Sequence, residues 1–195
     1  RQMCIRDRLE ILLQHYTYDS LKLEAAKFLI RNMPHCYSYQ QGGEMDSVKR
    51  VRTYYSPFGQ IDQTYARRWG HYTYRNLPKI YDAHIITAEY LIDNIDRAFD
   101  NWQKRPWNRS LSFEDFCEYL LPYRIGDEPL EEWRELYEKK YGYLLDSIYK
   151  GSDVVEAANL VSRHLQEPVF IYCEDFELPH IGPRYLFSHR YGSCV

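Results

Sequence analysis

The sequence lacks a strong excess of charge of either sign. Among its 195 residues, 25 lysines and arginines stand against 28 aspartates and glutamates, which gives a formal net charge of −3 with neutral histidines. Proteins that neutralise a phosphate backbone carry a basic excess, so this balance argues against nucleic acid as the partner. Long hydrophobic runs are also lacking. None approaches the roughly 18–20 apolar residues that cross a bilayer, so no membrane span is predicted in these residues.

Paired cysteines are lacking as well. No two of the five cysteines form a C-x-x-C pair, and their spacing with the seven histidines matches no zinc pattern. We therefore predict no metal site and no cofactor. Cys117 lies on an apolar helical face and is expected to be a buried thiol, although a disulfide stays open. His35 next to Cys36 is too short a pairing to indicate a site.

Apolar and aromatic residues, by contrast, are abundant. Hydrophobic residues make up 45% of the chain, enough to fill a core, which excludes wholesale disorder. Twenty tyrosines bring the aromatic share to 16% and place many amphipathic side chains at half-buried positions. Composition therefore predicts a globular, aromatic-rich chain and indicates no particular reaction.

Apolar residues at helical spacing predict a mainly α fold. Asp19 or Ser20 caps a helix that ends before Pro34. A stronger helix follows Pro78, and its apolar face repeats at steps of three and four. That face consists of Ile85, Ala88, Ile92, Ile95, Phe99 and Trp102. A solvated acidic edge is predicted beside it, formed by Glu89, Asp93, Asp96 and Asp100.

Further signals divide the rest of the helical region. Ser112 with Asp115 resembles a capping box. Pro129 suits the first turn of a next helix, and Ser152 or Asp153 opens a last one. Between residues 34 and 78 no period is sustained, and glycines and prolines indicate loops and short turns. A long loop-rich middle is therefore expected within the helical region.

The sequence changes character after Pro168. Residues 169–172 are a short β-prone run, and prolines and a glycine interrupt the stretch after it. We place a boundary near residue 166. The helical N-terminal region then covers residues 9–166, and residues 167–195 are the start of another domain.

Residues 1–8 fit neither part. Gln2 to Arg8 back-translate into a nucleotide sequence that resembles a transposase end used in sequencing-library adapters. We therefore expect residues 1–8 to be a sequencing-adapter artefact, and a natural polar lead-in to a helix is the alternative. The final residues stop without a terminating signal, so the chain is interpreted as a fragment of a longer protein, and its start carries no information on a signal peptide.

Cys194 is the candidate nucleophile. It follows Tyr191, Gly192 and Ser193, and a glycine followed by a capping serine suits the start of a helix at the cysteine. The positive end of a helix dipole stabilises a thiolate, and the free N–H groups of the first turn hold a developing oxyanion. On these residues alone, a small buried cysteine near a loop is the ordinary explanation.

Three longer segments change that balance. Residues 21–34 (LKLEAAKFLIRNMP), 112–124 (SFEDFCEYLLPYR) and 128–134 (EPLEEWR) resemble a bacterial group within the transglutaminase-like superfamily. The resemblance covers most of residues 9–195. It implies a helical N-terminal region followed by the truncated start of a papain-like α+β core, with Cys194 at the position of the nucleophile.

The resemblance also implies the chemistry. A histidine accepts the thiol proton, the thiolate attacks an amide carbonyl, and water or an amine resolves the thioester without a metal. The family's histidine and aspartate lie downstream of the nucleophile, so this fragment itself is expected to be inactive. The implied substrate is a protein or peptide, and the implied compartment is the cell envelope or the exterior.

A basic, aromatic segment is the candidate for substrate contact. Lysines and arginines over residues 49–75 interleave with aromatic side chains, which suits stacking on sugar rings or bases, or holding an anionic polymer. The substrate-binding candidates are Tyr54, Tyr55, Trp69 and Tyr72. The alternative is an irregular segment whose tyrosines pack its own loops onto the helices.

Two other patterns have ordinary explanations. The carboxylates over residues 174–177 do not establish the separation of about 5–10 Å across a sugar that a glycosidase needs. Trp102 and Trp133 have helical spacing, which favours core packing over a ligand platform. The competing function is a non-catalytic helical, aromatic-rich module that binds a glycan or a protein.

Overall fold

The computed structural model describes residues 5–40, 77–165, 171–172, 180, 182–189 and 191–192. Helices make up most of this part of the chain, which confirms the predicted mainly α fold. The α-helices are α1 (Ile5–His15), α2 (Ser20–Asn32), α3 (Asp82–Ile85), α4 (Ala88–Lys104), α5 (Phe113–Asp115), α6 (Arg134–Tyr143), α7 (Val154–Leu165) and α8 (Pro183–His189). Short 3-10 turns cover Met33–His35 and Pro106–Ser110, and π turns cover Phe116–Leu120 and Leu144–Ile148.

The described strands form two small sheets. β1 (Tyr37–Tyr39) pairs antiparallel with β2 (Lys79–Tyr81). β3 (Ile171–Tyr172) pairs in parallel with β4 (Tyr191–Gly192). Parallel strands need a crossover connection, and α8 lies within the chain that joins β3 to β4.

The predicted helix starts are largely correct. The Asp19 side chain accepts a hydrogen bond from the Lys22 amide and caps α2. Ser112 and Asp115 form the reciprocal capping box of α5. Asp153 accepts bonds from the amides of the first turn of α7. Each of these signals is local in sequence, which is why spacing alone finds them.

Two predictions about where helices begin are wrong. Ile85 is 42% exposed, whereas Ile86 is 1% exposed. The chain is extended at Ile86, so the periodic face begins in α4 at Ala88 and excludes Ile85. Pro129 also does not open a helix, because α6 starts at Arg134. The residues before α6 form a loop whose backbone groups are bonded by side chains.

The acidic edge of α4 is only partly solvated. Asp96 accepts hydrogen bonds from the Tyr16 hydroxyl at 2.9 Å and from Lys22 Nζ at 2.8 Å. Asp96 therefore joins α4 to α1 and α2. The partners come from other helices, so spacing within α4 gives no sign of them.

The apolar core lies where α1, α2 and α4 meet the Phe116–Leu120 turn. Phe116 is fully buried, and its ring stacks on Trp102 with centroids 4.4 Å apart. Trp102 is half-buried and therefore packs against the core, as its spacing predicts. Cys117 is 4% exposed, and burial raises the pKa of its thiol to about 11. The buried core residues include Leu12, Ala25, Leu29, Leu91, Ile95, Ala98, Phe99 and Leu121.

Candidate functional site

The sequence-predicted site residues fall outside the described part of the chain. This holds for Cys194 and for the substrate-binding candidates Tyr54, Tyr55, Trp69 and Tyr72. The structure does describe α8 and β4 from the segment before Cys194, and β4 ends at Gly192. The candidate site is therefore built from the residues that hold this segment.

Residues 124–131, named here the docking loop, hold the chain in front of α8. Asp127 Oδ1 accepts a hydrogen bond of 2.8 Å from the His180 amide. The Asp127 amide lies 3.3 Å from His180 Nδ1, and Asp127 Oδ1 lies 2.9 Å from the same nitrogen. When His180 Nδ1 carries no proton, it can accept a hydrogen bond from the Asp127 amide. When it carries a proton, it can donate one to the Asp127 carboxylate, so Nδ1 has a partner in either form.

The docking loop also caps α8. Gly182 precedes the helix and has no side chain with which to cap it. Glu131 Oε2 instead accepts a bond of 2.8 Å from the Arg184 amide, and the Tyr137 hydroxyl donates to the Pro183 carbonyl at 3.2 Å. A carboxylate next to the first turn accepts a bond from an amide that has no partner within the helix. Its negative charge also interacts favourably with the positive end of the helix dipole. Glu131 therefore supplies from another part of the chain what a local cap residue would supply.

Two glycines permit this close approach. A Cβ at Gly182 would lie 2.6 Å from a Glu131 carboxylate oxygen, and a Cβ at Gly126 would clash with the His180 ring. Both contacts are tighter than side-chain carbons tolerate. A side chain at either position would displace the Glu131 carboxylate or the His180 ring from its contact with the opposite segment.

Aromatic side chains complete the contact. Phe187 of α8 packs edge-on against Tyr137, with centroids 5.7 Å apart, and against Tyr141 at 6.5 Å. Lys140 Nζ lies 4.3 Å from the Phe187 ring centroid. Burial raises the pKa of Tyr137 to about 12, so its hydroxyl keeps the proton it donates to Pro183. One face of α6 therefore carries α8.

A buried ion pair between Arg124 and Asp82 anchors the docking loop to the helical region. Arg124 Nη2 lies 2.6 Å from Asp82 Oδ1, and both side chains are at most 5% exposed. Arg124 Nη1 donates to the carbonyl oxygens of Tyr37 and Glu128, each at 2.7 Å. Desolvation raises the pKa of Asp82, while the Arg124 charge opposes that rise. Arg124 thus ties the loop to β1 and α3.

Glu128 closes the docking loop on itself. Its two carboxylate oxygens accept bonds from the amides of Ile125 at 2.6 Å and Gly126 at 2.7 Å. Within the described ranges, the loop's own backbone is thereby fixed by side chains rather than by helix or strand pairing. Pro129 follows directly, and these side-chain bonds hold the loop in place of the helix that its local preference predicts.

Cys36 lies beside this ion pair but lacks the electrostatics of a nucleophile. It lines a cavity of about 200 Å³ together with Leu29, Met33 and Tyr123. Desolvation raises the pKa of the Cys36 thiol, and the charge of Asp82 adds to the rise. The thiol therefore stays protonated at neutral pH and serves packing in this cavity.

A second arginine anchors the start of α6. Arg134 Nε donates to Asn94 Oδ1 at 2.7 Å, and Nη2 donates to the Leu120 and Pro122 carbonyl oxygens at 2.6 and 2.9 Å. Desolvation lowers the pKa of Arg134 to about 10. Sequence reasoning missed Arg134, Arg124 and Glu131 as anchors because their partners lie far away along the chain.

No protein-family model matches the chain, and neither a curated protein nor a solved structure matches it significantly. Among the described residues, no group of three or more His, Cys, Asp or Glu side chains is arranged to hold a metal ion. In the same part of the chain, no helix is long and apolar enough to cross a bilayer. The function is therefore inferred from the contacts of the docking loop with the α8 segment.

Proposed function

We propose that this chain is the N-terminal part of a transglutaminase-like cysteine enzyme that transfers acyl groups through a thioester on Cys194. The observation that supports the proposal is the anchored strand–helix–strand segment in front of that cysteine. Asp127, Glu131 and Tyr137 bind residues of the α8 segment, and α8 leads into β4. The helical region then acts as the platform on which the cysteine-bearing segment is held.

The position of β4 suits a reactive side chain. In sheets with parallel strands, functional residues follow the carboxyl ends of the strands. Gly192 is the last residue of β4, and Ser193 and Cys194 follow it. A serine cap at this point would place the thiol at the first turn of a helix, where backbone amides lower a thiol pKa.

The proposed reaction uses the thiolate as nucleophile. A histidine downstream of the nucleophile takes the thiol proton, and the sulfur attacks the carbonyl carbon of a protein or peptide amide. The C–N bond breaks and the amine leaves with a proton from the histidine, which gives a thioester. Water or a second amine then attacks the thioester and regenerates the thiol, so the products are an acid or a new amide.

The first test measures thiol pKa values in the full-length product of the gene. Alkylation by iodoacetamide is followed from pH 5 to pH 10, with the labelled cysteine identified by peptide mass. We expect Cys194 to react with a midpoint below about 7.5, in the range of activated thiols. Cys36 and Cys117 are internal controls, because burial raises the pKa of both.

The second test looks for the thioester. A peptide amide substrate library is incubated with the full-length protein, and the mass of the acyl adduct on Cys194 is measured after acid quenching. Cys194→Ser should abolish the adduct while leaving the thermal unfolding midpoint unchanged. An ordinary titration of Cys194, together with no adduct, would contradict the enzyme and favour the non-catalytic glycan- or protein-binding module.

A further inference from the structure

A polar groove of about 460 Å³ lies between α4 and α6. Its α4 wall carries Arg97, Asp100, Asn101 and Lys104, and its α6 wall carries Arg134 and Glu138. Sites for small molecules have volumes from about 300 Å³ upward, so the groove is large enough for a small polar ligand.

Most charges in the groove already have partners. Arg97 Nε lies 2.8 Å from an Asp93 oxygen, and Lys104 Nζ lies 3.3 Å from Glu138 and 2.7 Å from Asp146. Two charges differ. Within the described ranges, Arg134 has no carboxylate partner and Asp100 makes no ion pair. These two unpaired charges are of opposite sign and line the same groove.

Arg134 has one amino group free for a ligand. Its Nε and Nη2 donate to Asn94 and to main-chain carbonyls. Nη1 makes no hydrogen bond with the described residues. It is also not among the fully buried side-chain atoms that lack a hydrogen-bond partner. It is therefore not fully buried, although the guanidinium as a whole lies 4.7 Å from the Trp133 ring centroid. With a pKa of about 10, the guanidinium is charged at neutral pH. The helix α6 starts at Arg134 without a side-chain cap, so the positive end of its dipole adds to the attraction for a carboxylate.

Asp100 provides the opposite charge. It is an exposed residue near the end of α4, one turn from Lys104. The neighbouring Asn101 and Gln103 carry side-chain amides that form no hydrogen bonds with the described part of the chain. These amides add donors and acceptors to the groove without adding charge.

We propose that this groove binds a small zwitterion with a carboxylate and an ammonium group, of the amino-acid type. The carboxylate accepts from Arg134 Nη1 and the ammonium donates to Asp100. A ligand carrying only negative charge leaves Asp100 without a counter-ion and meets the Asp100 and Glu138 carboxylates that line the same groove. A ligand carrying only positive charge leaves Arg134 without a counter-ion.

The test is a titration of the whole chain followed by NMR of the Asn101 and Gln103 side-chain amides. The probes are glycine, β-alanine and 4-aminobutyrate, which differ in the separation of their two charges. Sodium acetate and methylammonium chloride, each at the same ionic strength, are the single-charge controls. We expect at least one zwitterion to give saturable shifts at millimolar concentration, and both controls to give weaker ones.

Two matched variants locate the ammonium contact. Asp100→Asn should weaken zwitterion binding roughly fivefold, as expected for loss of one exposed ion pair. Glu89→Gln changes an exposed carboxylate of the same helix outside the groove and should leave binding unchanged. Saturation by acetate alone, equal binding by the two variants, or no saturation by any zwitterion would overturn the proposal. None of these outcomes depends on Cys194.

Discussion

The apolar core and the docking loop are built in different ways. In the core, side chains from α1, α2 and α4 bury periodic faces against one another. In the docking loop, charged side chains bind backbone groups up to 87 residues away, as Arg124 does with the Tyr37 carbonyl. The core depends on burial of many interchangeable apolar groups, whereas the loop depends on a few specific polar bonds. Five experiments on four substitutions follow from this difference.

The largest effect is expected in the core. Phe116→Ala removes a fully buried ring that stacks on Trp102 and should lower the free energy of unfolding by about 4 kcal/mol. Tyr119→Ala is the matched control in the same turn, because that side chain is 72% exposed, and it should change stability by less than about 0.5 kcal/mol. Urea unfolding measures both. Equal losses would show that the turn is not packed as described.

The second effect tests the buried ion pair. Arg124→Met leaves the Asp82 carboxylate buried without its counter-ion, so we expect a loss of about 3 kcal/mol at pH 7. Arg97→Met removes a partly exposed pair and should cost less than about 1 kcal/mol. A loss no larger than that of Arg97→Met would mean that the docking loop does not need its anchor.

The same variant has a predictable pH dependence. Burial raises the pKa of Asp82 above its ordinary value of 3.8, and Arg124 opposes that rise. Without Arg124 the folded-state pKa rises further. A carboxyl group with a raised folded-state pKa lowers stability as pH rises above its unfolded-state pKa. The deficit of Arg124→Met relative to the wild type should therefore be smaller at pH 4 than at pH 7.

The third effect tests the cap on α8. Glu131→Gln keeps an acceptor oxygen but removes the negative charge beside the Arg184 amide, so the local opening free energy should fall by about 0.5 kcal/mol. Hydrogen exchange at Arg184 measures it, with Glu132→Gln as the neighbouring control. Faster exchange in both variants, or in neither, would contradict capping by Glu131.

The smallest effect concerns Asp146. Burial acts to raise its pKa, but hydrogen bonds from Lys104 and Arg105 outweigh burial and leave the pKa below its ordinary value of 3.8. A carboxylate of this kind stabilises the fold above its unfolded-state pKa, and the contribution is lost as pH falls through the lower folded-state value. Asp146→Asn should be less stable than the wild type at pH 6, and the difference should shrink below pH 3.8. A difference independent of pH would rule out the ion pair as its source.

The fold was predictable where its causes are local. Asp19, Ser112 and Asp153 mark helix starts because a cap bonds amides two or three residues away. The prediction from Pro129 was wrong because it used only a local preference for the first helical turn. The side-chain bonds that fix the loop around Glu128 override this preference. The acidic edge of α4 was misjudged at Asp96, whose partners lie on α1 and α2.

The residues around the candidate site were not predictable in this way. Nothing near Glu131 in the sequence indicates that it caps a helix 53 residues later, and nothing near Arg134 indicates that its guanidinium closes the Phe116–Leu120 turn. The resemblance of residues 128–134 to the transglutaminase-like group stays a sequence-based prediction and assigns no contacts. Cys194 stays a sequence-based prediction, which the alkylation experiment tests.

The amino-acid order determined the helices, their caps and the apolar faces that form the core, because these depend on neighbours within one or two turns. Only the tertiary structure decided that Arg124, Glu128 and Glu131 would turn an irregular loop into a support for α8. It also left Arg134 and Asp100, within the described ranges, unpaired on one groove. Such bonds join residues that are far apart along the chain, so the packing of the helices determines which partner a buried polar group meets.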